Sequence, residues 1–218
     1  MKHRDVLSLI EEGEGFRVEF KQRFSDYEKI SKELIAFANS KGGYLIIGVE
    51  DDKSIKGVES EKSEAAFIIE CAEKYCEPPI RYKLDFIEIK HKELVVVEVF
   101  ESEVKPHRLQ DFKNEIDITT AKVFIRVNDK SVPASKEMIK ILQAQTNFTS
   151  LKNYSIDKNE RMVFEYLQQN ETITVKELTC LSNISNRRAS RTLIKLVRAG
   201  MLNIHVKDNG ENYFSSAF

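Results

Sequence analysis

Ala36-Phe37-Ala38-Asn39-Ser40-Lys41-Gly42-Gly43-Tyr44-Leu45-Ile46-Ile47-Gly48-Val49-Glu50-Asp51 contains the change of period that decides the fold. Upstream of it Ile30, Leu34, Phe37 and Ala38 recur at helical spacing, so the segment is entered as an amphipathic helix. Gly42-Gly43 stops that helix, because glycine takes the left-handed conformation of a helix C-terminus without a Cβ clash. Tyr44 to Val49 then runs almost without a polar side chain, the pattern of a central strand covered on both faces. Helix, glycine stop and doubly buried strand together predict an α+β domain, a sheet with helices packed on it.

Working outward, Phe16 to Lys21 alternates apolar and charged residues, as a strand with one buried face does. Ser25-Asp26-Tyr27-Glu28 has the Ser-x-x-Glu spacing of a capping box, which predicts a helix starting at Ser25. Ser60 to Cys76 is expected to be helical until Pro78-Pro79. Arg81 to Lys90 and Glu93 to Phe100 are β-rich runs around His91-Lys92, followed by a last strand, Lys122 to Val127, and a helix near Ser135 to Ala144. Gln145 to Ser155 loses all periodicity. The expected division is therefore a first domain over 1–145, a linker over 146–156 and a second domain over 157–218. In the latter, Asp157 with Glu160, Thr174 with Glu177, and Ser185 each open a helix. Met201 to Val206 and Glu211 to Phe214 then flank Lys207-Asp208-Asn209-Gly210, a hairpin. Three helices closed by a hairpin is the order of a winged helix-turn-helix.

Composition narrows the function classes. The 218 residues are 41% hydrophobic and 32% charged. No apolar run approaches the roughly 18 residues of a membrane span, and the N-terminus lacks a secretory apolar core, so no membrane partner and a cytoplasmic location are expected. Cys71, Cys76 and Cys180 show no paired spacing and His3, His91, His107 and His205 are scattered, which predicts neither disulfides nor zinc and makes the thiols packing residues. Net charge is −1, yet Asp157 onward carries nine Lys/Arg against seven Asp/Glu. A nucleic-acid surface must then be a local patch.

That patch is predicted on the third helix of the second domain. At about 100° per residue, Leu193, Leu196, Thr192 and Val197 cluster around Ala189 as the buried face, while Arg187, Arg188, Arg191, Lys195 and Arg198 share the opposite sector. No Asp or Glu lies between Ser185 and Gly200, so no carboxylate of the helix itself neutralises the sector. Asn186, Arg187, Ser190 and Arg191 are expected to face bases, with Arg188 in the same cationic sector; Lys195, Arg198 and the turn residue Lys207 are expected on backbone phosphates. The plainer reading is a solvated basic face on an ordinary helix.

In the first domain, Glu14-Gly15-Phe16-Arg17-Val18-Glu19-Phe20-Lys21, the Ala36–Asp51 stretch, Gly57-Val58, and Phe124-Ile125-Arg126-Val127 with Ser131 follow one another in an order that resembles the Schlafen-type AlbA-like family over roughly residues 1 to 145. The resemblance implies an AlbA-like mixed sheet with packed helices. It also implies a role as the DNA-binding part of a prokaryotic transcriptional regulator, often with a C-terminal winged helix. The family usually has glycine where this chain has Asn128. No GxxxxGK[ST] phosphate loop is present, so nothing supports an ATPase. Animal members use an acidic trio for metal-dependent RNA cleavage, and Glu14, Glu19 and Asp51 stand at the matching positions. Carboxylates there would hold Mg²⁺ or Mn²⁺ to activate water, provided that Gly15 bends the chain enough for Glu14 to meet Glu19. Asp51 and Asp52 also suit a simple turn, and Asn39, Ser40, Lys41 and Gly42 read first as a helix C-terminus that needs a left-handed glycine and second as a phosphate-contacting loop. The expectation is a DNA-binding transcriptional regulator acting as a homodimer without a cofactor; the alternative is a metal-dependent endoribonuclease on tRNA-like RNA.

Overall fold

Helix α1 (His3–Glu12) buries Val6 and Ile10 against one face of a sheet that begins with β1 (Val18–Lys21). The computed structural model, which describes residues 1–146 and 157–217, returns the chain through α2 (Tyr27–Asn39) to β2 (Gly43–Ile47), parallel to β1 with Val18 opposite Tyr44. After α3 (Glu61–Glu70), which widens into a π turn over Cys71–Tyr75, come β3 (Cys76–Glu77), β4 (Tyr82–Ile89) and β5 (Lys92–Val99). The order across the sheet is β1-β2-β5-β4, with β5 antiparallel to both its neighbours. Mixed pairing of this kind is what an α+β domain uses.

Alternation explains the continuous apolar run. Leu45 and Ile47 of β2, with Val95, Val97 and Val99 of β5, point to Leu34 and Phe37 of α2 and Ile68 of α3. Ile46 and Val96 point the other way, to Val6 and Ile10. Two glycines make the helix-to-strand turn: Gly42 has φ +67, and a Cβ on Gly43 would stand 2.5 Å from the Phe37 ring. Helix and strand meet only because no side chain intervenes there.

Three local expectations are corrected. The α2 cap is Asp26, whose side chain accepts from the Lys29 amide; Ser25 lies one residue too early. The Arg126 strand, β7 (Phe124–Val127), is half of a hairpin with β8 (Lys130–Pro133), turned by Asn128 at φ 52. Asparagine tolerates that left-handed position, so it serves where glycine was anticipated. Cys71 and Cys76 are buried, but Cys180 is exposed, since it lies two residues and more than half a turn from the buried Leu178. A short pair between β3 and β6 (Arg108–Leu109) completes this part.

The chain divides into two compact units, Met1–Pro133 and Ala134–Phe218. The second contains α4 (Lys136–Thr146), α5 (Lys158–Leu167), β9 (Thr172–Ile173), α6 (Val175–Ser182), α7 (Asn186–Arg198), β10 (Leu202–Val206) and β11 (Asn212–Ser216). Apart from Thr146, the expected linker lies outside the described residues. Val163, Leu178, Ala189, Leu193, Leu196 and Phe214 form the unit's core, and its antiparallel sheet runs β10-β11-β9. No helix among the described residues is long and apolar enough to cross a membrane.

Candidate functional site

Helix α7 is set by Ser185, whose hydroxyl accepts from the Arg188 amide, and by Ala189, Leu193 and Leu196, which have no exposed surface. Turning these residues inward turns Asn186, Arg187, Arg188, Arg191 and Arg198 outward, where all five are exposed. Arg187, Arg188 and Arg191 have no carboxylate within ion-pair distance among the described residues. Lys207, in the turn between β10 and β11, is exposed as well, 3.9 Å from Glu211. Asn186 gives its side-chain oxygen to the Thr179 hydroxyl at 2.9 Å, which ties the start of α7 to α6.

Two predicted contact residues face elsewhere. Ser190, expected toward bases, is 5% exposed and donates its hydroxyl to Glu137 of α4 at 2.7 Å. The position lies on the shoulder of α7 that α4 covers. Lys195, expected on phosphate, is half-buried, with Nζ 2.7 Å from Glu160 of α5. Glu160 is fully buried and its other oxygen accepts from the Asp157 amide, so this neutralisation comes from a neighbouring helix. The sequence of α7 alone could not reveal it.

Beside the cationic strip, α4 and α7 border a groove of about 460 Å³. Lys140 and Gln143 line it from α4; Arg187, Arg191, Ile194, Lys195 and Arg198 line it from α7. The α4 contribution was missed because its residues were assigned to the other domain. Its signal is present in the sequence: Lys140 and Gln143 are three apart and share a helix face.

In the first unit the acids take the following positions. Gly15 does bend the chain: its amide donates to the Val18 carbonyl at 3.0 Å, and Glu14 reaches back to accept from the Phe20 amide at 2.9 Å. Glu19 is buried between two cations, Lys21 at 2.5 Å and Arg126 at 3.0 Å. Asp51 is an exposed turn residue. Among the described residues no three His, Cys, Asp or Glu side chains converge as metal ligands. Both Glu19 oxygens are engaged by cations, so as arranged the trio does not fit a divalent metal.

Glu19 belongs to a buried cluster. The Arg126 side chain is fully buried, donates to Glu19, to Glu33 at 3.2 Å, to the Ser131 hydroxyl at 3.1 Å and to the Gly15 carbonyl at 2.6 Å, and lies over the Phe37 ring at 4.8 Å. Ser131 in turn donates to Glu33. Burial, and then the Glu33 charge, push the Glu19 carboxyl above its ordinary range, while Lys21 pulls the other way. Asn39 and Ser40 are engaged too: the Asn39 amide donates to the His107 and Phe124 carbonyls, and the Ser40 hydroxyl accepts from the Arg126 amide. Lys41 lies 3.4 Å from Glu101. The helix end therefore acts as a clamp on β6 and β7.

Comparison with known proteins bears on the first unit. The family model described as Schlafen, AlbA_2 matches residues 14–135. The chain is similar to the solution structure of the N-terminal domain of an ATP-dependent DNA helicase RecG-related protein from Nitrosomonas europaea, at 26% identity, covering 54% of this chain and 86% of that one with a TM-score of 0.42. It is also similar to a protein from Corynebacterium diphtheriae at 15% identity, covering 93% of this chain and 46% of that one with a TM-score of 0.47. The chain thus spans about half the length of the latter.

Proposed function

The chain belongs to the Schlafen, AlbA_2 family, and from that premise we propose that it is a nucleic-acid-binding protein acting on duplex DNA as a transcriptional regulator. The observation that carries the proposal is the outer strip of α7, where Arg187, Arg188 and Arg191 are exposed and no carboxylate pairs with them among the described residues. Unpaired arginines at a helix start suit guanine edges and phosphates alike, since the guanidinium fork bonds both in pairs.

The second unit then works as a winged helix-turn-helix. Supporting this are the succession α5, α6, α7, the tight turn between α6 and α7 with Asn183 at φ 47, and a hairpin after α7 that carries Lys207 at its tip. In this reading Arg187 and Arg191 face bases, while Arg198 and Lys207 meet backbone. One such module offers a small footprint, so a homodimer reading two half-sites is part of the proposal, to be checked by sedimentation. The test is fluorescence anisotropy of the full chain with labelled duplex DNA across a salt series. Binding at low salt is expected, with Arg187→Ala plus Arg191→Ala weakening it by at least about tenfold, since each bidentate base contact is worth about 1–3 kcal/mol. Absence of binding at low salt, or an unchanged affinity in the double variant, overturns the proposal; preference for RNA over duplex DNA overturns its choice of partner.

A further inference from the structure

We infer that α4 forms one wall of the interface, with Lys140 contacting a phosphate of the DNA strand that runs along Arg187 and Arg191. This rests on the reading of α7 above and deepens it. The groove between α4 and α7 is lined by five cations, one amide and Ile194, with no carboxylate among its lining residues. Lys140, Arg187 and Arg191 make no ion pair among the described residues, so the excess charge on these walls is not balanced from within. A polyanion is the occupant that balances it.

The nearest acid of α4 strengthens the case. Glu137 precedes Lys140 by three residues on the same helix face, yet its carboxylate accepts from Ser190, on the covered shoulder of α7. It does not line the groove. The anchoring bond therefore does two things: it removes Ser190 from any contact with bases, and it holds Lys140 and Gln143 beside the arginine strip. The chemistry assigns them to backbone. Lysine is a flexible point charge that meets a phosphate without fixed geometry, and a glutamine amide adds a neutral donor, whereas the planar arginine forks are better matched to base edges.

The experiment compares full-length Lys140→Ala and Lys140→Gln with the wild type by anisotropy on the same labelled duplex of mixed sequence. Lys136→Ala, an exposed residue of α4 outside the groove, is the control on the same helix. Loss of one phosphate contact should lower the salt slope by about 0.9 in both Lys140 variants, with weaker binding to every duplex sequence, while Lys136→Ala should match the wild type. Urea midpoints equal to the wild type confirm that the helix is intact. A slope unchanged in both Lys140 variants, or an equal fall in Lys136→Ala, overturns the inference. If the Arg187 and Arg191 double variant still loses binding in that case, the reading of α7 survives; if the wild type does not bind, both fall.

Discussion

Arg126 is the residue on which the first unit turns. Its guanidinium is shared by two buried carboxylates, Glu19 and Glu33, and removing one partner of a buried ion cluster is far more damaging than never having built it. Arg126→Met keeps much of the contact with Phe37 but leaves both acids without their common cation. We expect a loss of about 3–5 kcal/mol, read from native-state hydrogen exchange of the β2 amides. The pH dependence follows from Glu19. Its carboxyl is raised in the folded state, so the fold binds that proton more tightly than the unfolded chain does. This contribution to stability is full below the ordinary glutamate range and is lost as pH climbs through the elevated folded value. As pH rises above the ordinary glutamate range, Glu19→Gln should therefore flatten the decline. In Arg126→Met the decline should steepen, with exchange protection recovering toward acid. A pH profile identical in the three proteins would refute the assignment. The sequence marked Arg126 as part of a β-strand and Glu19 as a polar-face residue, but not their meeting. They lie 107 residues apart, and only the fold shows that the polar face of β1 is closed over.

At the scale of elements, the second unit repeats one device and then departs from it. Helices α5 and α6 both open with a reciprocal capping box, Asp157 with Glu160 and Thr174 with Glu177. In α7 the cap is Ser185 and the third helical position is Arg188, a cation at the positive end of the helix dipole. A helix selected only for stability would carry glutamate there. Arg188→Glu should complete the box and raise the unit's stability by about 1 kcal/mol in urea unfolding, while weakening DNA binding at low salt. If the substitution strengthens binding, or leaves it unaltered, the departure has another cause. Elements of this kind were legible because caps and apolar stripes act locally. The boundary of α2 slipped by one residue because Ser25 and Asp26 are both competent caps, and the chain chose the one whose oxygen reaches the Lys29 amide. β8 was missed because Lys130–Pro133 is short and ends in proline, which strand propensity disfavours but an edge tolerates. The turn between β4 and β5 was equally faint, since it places Lys90 and His91 at φ 52 and 61 without glycine.

For the whole molecule the open matter is where one folding unit ends. Loss of periodicity after Ala144 drew the expected boundary near residue 145, because sequence registers where a helix stops and not which core it joins. α4 buries Ile139, Ile141 and Leu142, and its Glu137 bonds Ser190, both within the unit Ala134–Phe218. A fragment of residues 134–218 should therefore unfold cooperatively at a higher urea midpoint than one of 157–218. The shorter fragment bares Ile194, which is 7% exposed in the chain, and breaks the bond that holds Ser190. Exposing apolar surface of that order costs about 1–3 kcal/mol, enough to move the midpoint clearly for a unit of this size. The same pair of fragments separates support from recognition. With α4 present the Lys140 contact remains, so 134–218 should reproduce the salt slope of the full chain, and 157–218 should fall short by about one contact even where it is folded. Equal midpoints and equal slopes would place α4 with the first unit, and the groove would then lose its wall.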